Sequence, residues 1–108
     1  MNVEIHDNSK EVSEDIKAAL LRGLETCGLV AEGYAKKLAP VDTGNLRNSI
    51  THTVDEEEPA AYIGTNVEYA PYQELGTIHM KAQPFLKPAV AANANIYRKI
   101  IEDEMKNG

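Results

Sequence analysis

The sequence predicts an α+β fold, with a long N-terminal helix and a C-terminal helix packed on a small antiparallel β-sheet. Three observations predict it. An apolar stripe at spacings of three and four runs from Val12 to Leu38 and ends against Pro40. Two short strand-like runs, 49–54 and 60–65, flank an acidic turn. A second helical stripe runs from Ala89 to Met105, behind Pro88.

The elements follow in order. In residues 1–7, Val3 and Ile5 alternate with polar neighbours, which allows a brief strand or an extended arm. A helix is expected over 9–39. Asn8 or Ser9 can cap it, and Glu11 and Glu14 suit the positive end of its dipole. Val12, Ile16, Ala19, Leu20, Gly23, Leu24, Cys27, Val30, Ala31, Tyr34 and Leu38 make one continuous stripe. Lys36 and Lys37 suit the C-terminal turn, and the residue before Pro40 is pushed out of the helical region. Gly23, Gly28 and Gly33 each weaken the helix by about 1 kcal/mol relative to alanine, so they mark close approaches or a bend. At about 45 Å, such a helix is long for one small domain, and part of it is available to a partner.

Pro40, Asp42, Thr43 and Gly44 supply turn chemistry, with a helical turn over 44–47. The strands 49–54 and 60–65 form a hairpin around the acidic run 55–58, which ends at Pro59. A short helix over 71–75 ends at Gly76. Residues 78–83 make a loop or short strand. Pro88 then sits in the first turn of a helix that runs to about Lys106. Ala89, Val90, Asn93, Ala94, Tyr97, Ile100, Ile101 and Met105 are its expected buried face.

Size and composition narrow the function. The 108 residues make a single domain, 1–108, and 43% hydrophobic with 26% charged content excludes a wholly disordered chain. With one Phe, five Tyr and no Trp, the core must rest on Leu, Ile, Val and Ala. A net charge of −6 argues against specific nucleic-acid binding. The pairs Lys36-Lys37 and Arg98-Lys99 read as solvated helix surface. No apolar run reaches the roughly 18 residues of a membrane span, and no secretory signal pattern opens the sequence, so a cytoplasmic protein is expected.

The sequence offers no convincing active site. His6, His52 and His79 lack zinc-ligand spacing, and Cys27, on the apolar stripe, reads as a buried thiol. The acidic run lacks the alternation of a calcium loop and reads as a solvated hairpin tip. Asp42-Thr43-Gly44 matches the aspartic-protease triplet only in letters, since one copy followed by Asn45, Arg47 and Asn48 lacks the apolar setting that chemistry needs. No phosphate loop or nucleophile elbow is present. An enzyme is not expected, nor any cofactor or metal.

Three blocks carry a family resemblance. Residues 39–50 read Ala-Pro-Val-Asp-Thr-Gly-Asn-Leu-Arg-Asn-Ser-Ile, which resembles the A-P-V-D-T-G-x-L-R-x-S-I signature of siphophage tail-component proteins, also described as head–tail joining or tail-completion proteins. Residues 69–77, Tyr-Ala-Pro-Tyr-Gln-Glu-Leu-Gly-Thr, resemble that family's Y-A-x-x-x-E-x-G-T. Residues 82–89, Ala-Gln-Pro-Phe-Leu-Lys-Pro-Ala, resemble its A-x-P-F-L-x-P-A. The blocks cover about half the chain, in the family's order. Position 75, often aromatic in such proteins, is Leu75 here.

The resemblance implies a structural protein of a tailed phage or prophage. It would be made in the host cytoplasm and incorporated in the virion at the neck or the head-proximal end of the tail. Its implied partners are head–tail connector proteins, tail proteins and copies of itself, in a ring whose implied size is a hexamer, formed before assembly or from monomers only during it. A ring needs two different surfaces on each subunit. Pro40, Asp42, Thr43 and Gly44 are expected to fix the turn from helix to sheet. Tyr69, Tyr72, Glu74, Gly76 and Thr77 are expected to order the loop carrying Met80 and Lys81, with Phe85 anchoring its return. These eight residues are the candidate subunit or partner interface. The competing reading is a cytoplasmic protein-binding module of related fold with no virion role.

Overall fold

The computed structural model describes residues 2–6, 14–39, 45–68, 70–76 and 81–107. Strand β1 (Asn2–His6) precedes helix α1 (Glu14–Leu38), a short α2 (Asn45–Ser49), strands β2 (Thr51–Asp55) and β3 (Ala60–Gly64), and helices α3 (Ala70–Leu75), α4 (Leu86–Ala91) and α5 (Ala94–Asn107). The architecture is α+β, as the periodicities predict. The first segment is a strand, and it pairs antiparallel with β3 on the side away from β2, giving the order β1-β3-β2. The turn residues Pro40, Asp42, Thr43 and Gly44 lie outside the described residues, as does the start of the expected first helix.

Helix α1 has 25 residues, about 37 Å of rise. Leu20, Leu24, Cys27, Ala31 and Ala35 bury its stripe against the sheet and the C-terminal helices. The stripe outruns the core at both ends, leaving Ile16 and Leu38 exposed. The glycines differ in what they allow. A Cβ on Gly23 would stand 3.3 Å from the Ile101 Cα, so this glycine admits α5 close to α1. A Cβ on Gly28 would stand 2.8 Å from the His52 ring. Gly33 faces open space.

Strand β3 is central and almost wholly buried, while β2 alternates, with Thr51, Thr53 and Asp55 exposed. The fully buried set joins Leu46, Ile50, Ala61, Ile63, Leu86 and Ala89 to the α1 stripe. The two aromatics Phe85 and Tyr97 also lie inside it, so the core is less purely aliphatic than composition suggests. Burial pushes the Cys27 thiol up to about 11, and its Sγ donates to the Tyr97 carbonyl at 3.5 Å.

The expected single C-terminal helix is two helices. The Asn93 N–H turns to the Val90 carbonyl at 3.3 Å instead of continuing the ladder, and the Asn93 Nδ2 donates to the Ala89 carbonyl at 3.0 Å. The Tyr97 hydroxyl donates to the same Ala89 oxygen. The Asn93 carbonyl then accepts the first bonds of α5, from Ile96 and Tyr97. An asparagine that satisfies nearby backbone groups with its own side chain favours such a break. The restart shifts the helical phase, and Ala94, expected inside, is exposed.

His52 fastens the hairpin to α1. Its Nδ1 lies 3.0 Å from Glu32 Oε1, and its Nε2 lies 2.6 Å from Glu25 Oε1. Both partners are acceptors, so both bonds form fully only with a protonated imidazole. Burial pushes the imidazole pKa down, but the bonds to Glu25 and Glu32 outweigh it and hold the group above 6.5. Burial pushes Glu32 up, but its bonds to His52 and Lys36 outweigh that and hold it below 4.5. A raised histidine stabilises the fold below its unfolded value and loses that contribution as pH rises through the folded pKa. A lowered carboxylate stabilises above its unfolded value and loses that contribution as pH falls through the folded pKa. The clasp therefore contributes most between 4.5 and 6.5. Resistance to urea is expected to fall as pH rises from about 6 to about 8. His52→Gln should flatten that slope, as denaturation curves at each pH would show.

Candidate functional site

One buried carboxylate ties the end of α3 to the start of α4. Helix α3 ends at Gly76, whose φ of 78° is the left-handed conformation that glycine adopts without a Cβ clash. Two residues earlier, Glu74 is only 4% exposed. Its Oε1 accepts the backbone N–H groups of Phe85 at 3.1 Å and Leu86 at 2.9 Å, and its Oε2 accepts that of Lys87 at 3.2 Å. These are the orphan donors at the start of α4, where Phe85 provides no side-chain cap of its own. A carboxylate there also meets the positive end of the helix dipole. Phe85 itself is fully buried among core residues.

The loop between these two anchors faces outward at both described ends. Leu75 is 72% exposed, and Lys81 is exposed. Leu75 therefore packs against little within its own chain. Of the sequence-derived candidates, the structure brings together Glu74 and Phe85, places Gly76 at the end of α3 and leaves Lys81 on the surface. Tyr69, Thr77 and Met80 lie outside the described residues, and so does the side chain of Tyr72.

At the other end of the hairpin, the Ser49 hydroxyl donates to the Leu46 carbonyl at 2.6 Å and pairs with the Thr65 hydroxyl. Thr65 Oγ1 accepts the Val67 N–H at 3.1 Å. Thr51, Thr53, Tyr62 and Asn66 line a shallow depression on the outer face of β2 and β3, about 670 Å³ in volume. The Ser49 and Thr65 hydroxyls serve local structure. With His52 held between two carboxylates and Cys27 buried, the described residues set no nucleophile beside a free base.

Sequence reasoning missed two features. The bond from Glu74 to the start of α4 joins groups 11 to 13 residues apart, and no local pattern signals it. The His52 clasp joins residues 20 and 27 apart, and only the packing of β2 on α1 brings them into reach. Among the described residues, no helix is long and apolar enough to cross a membrane, and no group of three metal-ligating side chains comes together.

Comparison with known proteins gives a family. The family model described as "Bacteriophage HK97-gp10, putative tail-component" matches residues 4–76, which span β1 through α3 and Gly76. No curated protein and no solved structure matches. The match covers more than half of the chain, and the Tyr69–Thr77 block lies at its end, so the chain belongs to the HK97-gp10-like family of bacteriophage tail components.

Proposed function

We propose that this protein is a structural assembly protein at the head–tail junction, or at the head-proximal end of the tail, and that it works there as an oligomeric ring without catalysing a reaction. The observation that carries the reading is the run of three sequence blocks, 39–50, 69–77 and 82–89, in a chain of the phage tail-component family. The geometry supports it at one point. A buried Glu74 and a buried Phe85 hold the two ends of a loop whose described ends are exposed. A segment fixed at its base presents a surface at a lower ordering cost.

Tyr69, Tyr72, Glu74, Gly76, Thr77 and Phe85 set the shape of this loop, and Met80 and Lys81 carry the contact to a neighbouring subunit. Replacing Met80 and Lys81 together with serine is expected to lower the oligomer mass in solution and to leave heads and tails unjoined in infected cells. Unchanged mass and normal joining would remove the loop from the interface.

A further inference from the structure

The fold brings together a cationic site that the sequence keeps apart. Lys36 and Lys37 in the last turn of α1 and Arg47 in α2 line one surface pocket of about 260 Å³. The Nε of Arg47 is buried and has no hydrogen-bond partner among the described residues. A buried donor left unmatched is costly, and a guanidinium that shares a pocket with two lysines suits a carboxylate. Lys36 shares its charge with Glu32 at 3.3 Å, and the Lys37 ammonium lies 5.8 Å from the Tyr34 ring centre.

The complementary surface is the tip of the β2–β3 hairpin. Asp55, Glu56, Glu57 and Glu58 are all exposed. Asp55 Oδ1 accepts the N–H groups of Glu57 at 2.9 Å and Glu58 at 3.3 Å, so the turn is fixed by Asp55 and the three glutamates are free to be read. The tip is out of reach of the pocket in its own chain. Arg47 is level with the end of α1, His52 is level with Gly28, and β2 continues in the same direction to Asp55. Helical and strand rise put the two sites about 23 Å apart along α1.

We propose that Glu56, Glu57 and Glu58 of one copy of this chain dock into the Lys36–Lys37–Arg47 pocket of a second copy. The two surfaces differ and sit at different levels of the subunit, so the contact is heterologous, and repetition closes a ring or extends a filament. The inference rests on the ring reading above and names its contact. Charged contacts of this kind steer and orient association, and salt weakens them.

The test is zero-length carbodiimide cross-linking of the full chain, with isotopically labelled and unlabelled copies mixed and the linked peptides identified by mass spectrometry. The expected result is an inter-chain link from Lys36 or Lys37 to Glu56, Glu57 or Glu58, which fades as salt is raised. Glu57→Lys with Glu58→Lys lies on an exposed tip and should fold normally, yet lower the yield of that link by at least about tenfold. Lys37→Glu with Arg47→Glu should do the same, and mixing the two charge-reversed proteins should restore inter-chain association. Absence of the inter-chain link, no recovery on mixing, or a link from these lysines to Asp42 of the same chain would overturn the proposal. So would binding of duplex DNA that Lys37→Glu abolishes in the absence of any inter-chain link. If the link and the charge swap behave as expected but the chain is absent from virions, the contact stands and the head–tail reading falls. If the chain is present in virions and the swap changes nothing, the contact falls alone.

Discussion

Glu74→Ala is expected to destabilise the protein by about 3 kcal/mol, because it strips three backbone N–H groups at the start of α4 of their acceptor at once. The site is nearly closed to solvent, so water cannot fully replace the lost carboxylate. Glu74→Gln keeps one acceptor oxygen and the shape of the side chain, and should cost about half as much. Urea denaturation of the three proteins checks both the size and the order. A loss within about 0.5 kcal/mol for the alanine variant, the range of an ordinary surface change, would mean that the cap contributes little.

Phe85→Ala should cost about 3–5 kcal/mol, the usual penalty for emptying a large aromatic site in a packed core. Phe85 is fully buried and is the sole phenylalanine in the chain, and Tyr97 is the other aromatic ring among the described core residues. Phe85→Leu keeps most of the apolar volume and should cost about 1.5 kcal/mol or less. The same side chain lies where the Phe85 N–H meets Glu74. The effects of Glu74→Ala and Phe85→Ala should therefore fall short of adding in the double variant, because each loosens the joint the other depends on. Strict additivity would show that the two anchors act independently.

Much of this architecture was legible in the sequence, where the signal was local and repeated. The α1 stripe from Ala19 to Ala31 follows its three-and-four spacing into the core, beyond which Ala35 is buried in place of Leu38, and Gly76 ends α3 as its residue type allows. The hairpin strands fall within two residues of the expected ones. The break at Asn93 was also written in the sequence, as an asparagine in the middle of a helical stripe. The continuous apolar pattern through Tyr97 and Met105 outweighed it, and the phase shift that exposes Ala94 depends on a side-chain bond to the Ala89 carbonyl. The partner of β1 was not legible, because alternation identifies a strand but not its neighbour. Glu74 was singled out from the block it belongs to, while its capping role depends on a chain reversal that brings Phe85 back to it. Lys36 and Lys37 looked like ordinary helix surface until the fold set Arg47 beside them at one pocket.

Electron microscopy of assembled particles from a host that produces this chain tests the proposed ring at the head–tail junction. The account predicts an axially symmetric ring at the neck or the head-proximal end of the tail, into which the α1–sheet unit fits, and its loss together with unjoined heads and tails when the gene is deleted. Complete, joined particles without the chain, or density for it at the distal end of the tail, would contradict the account.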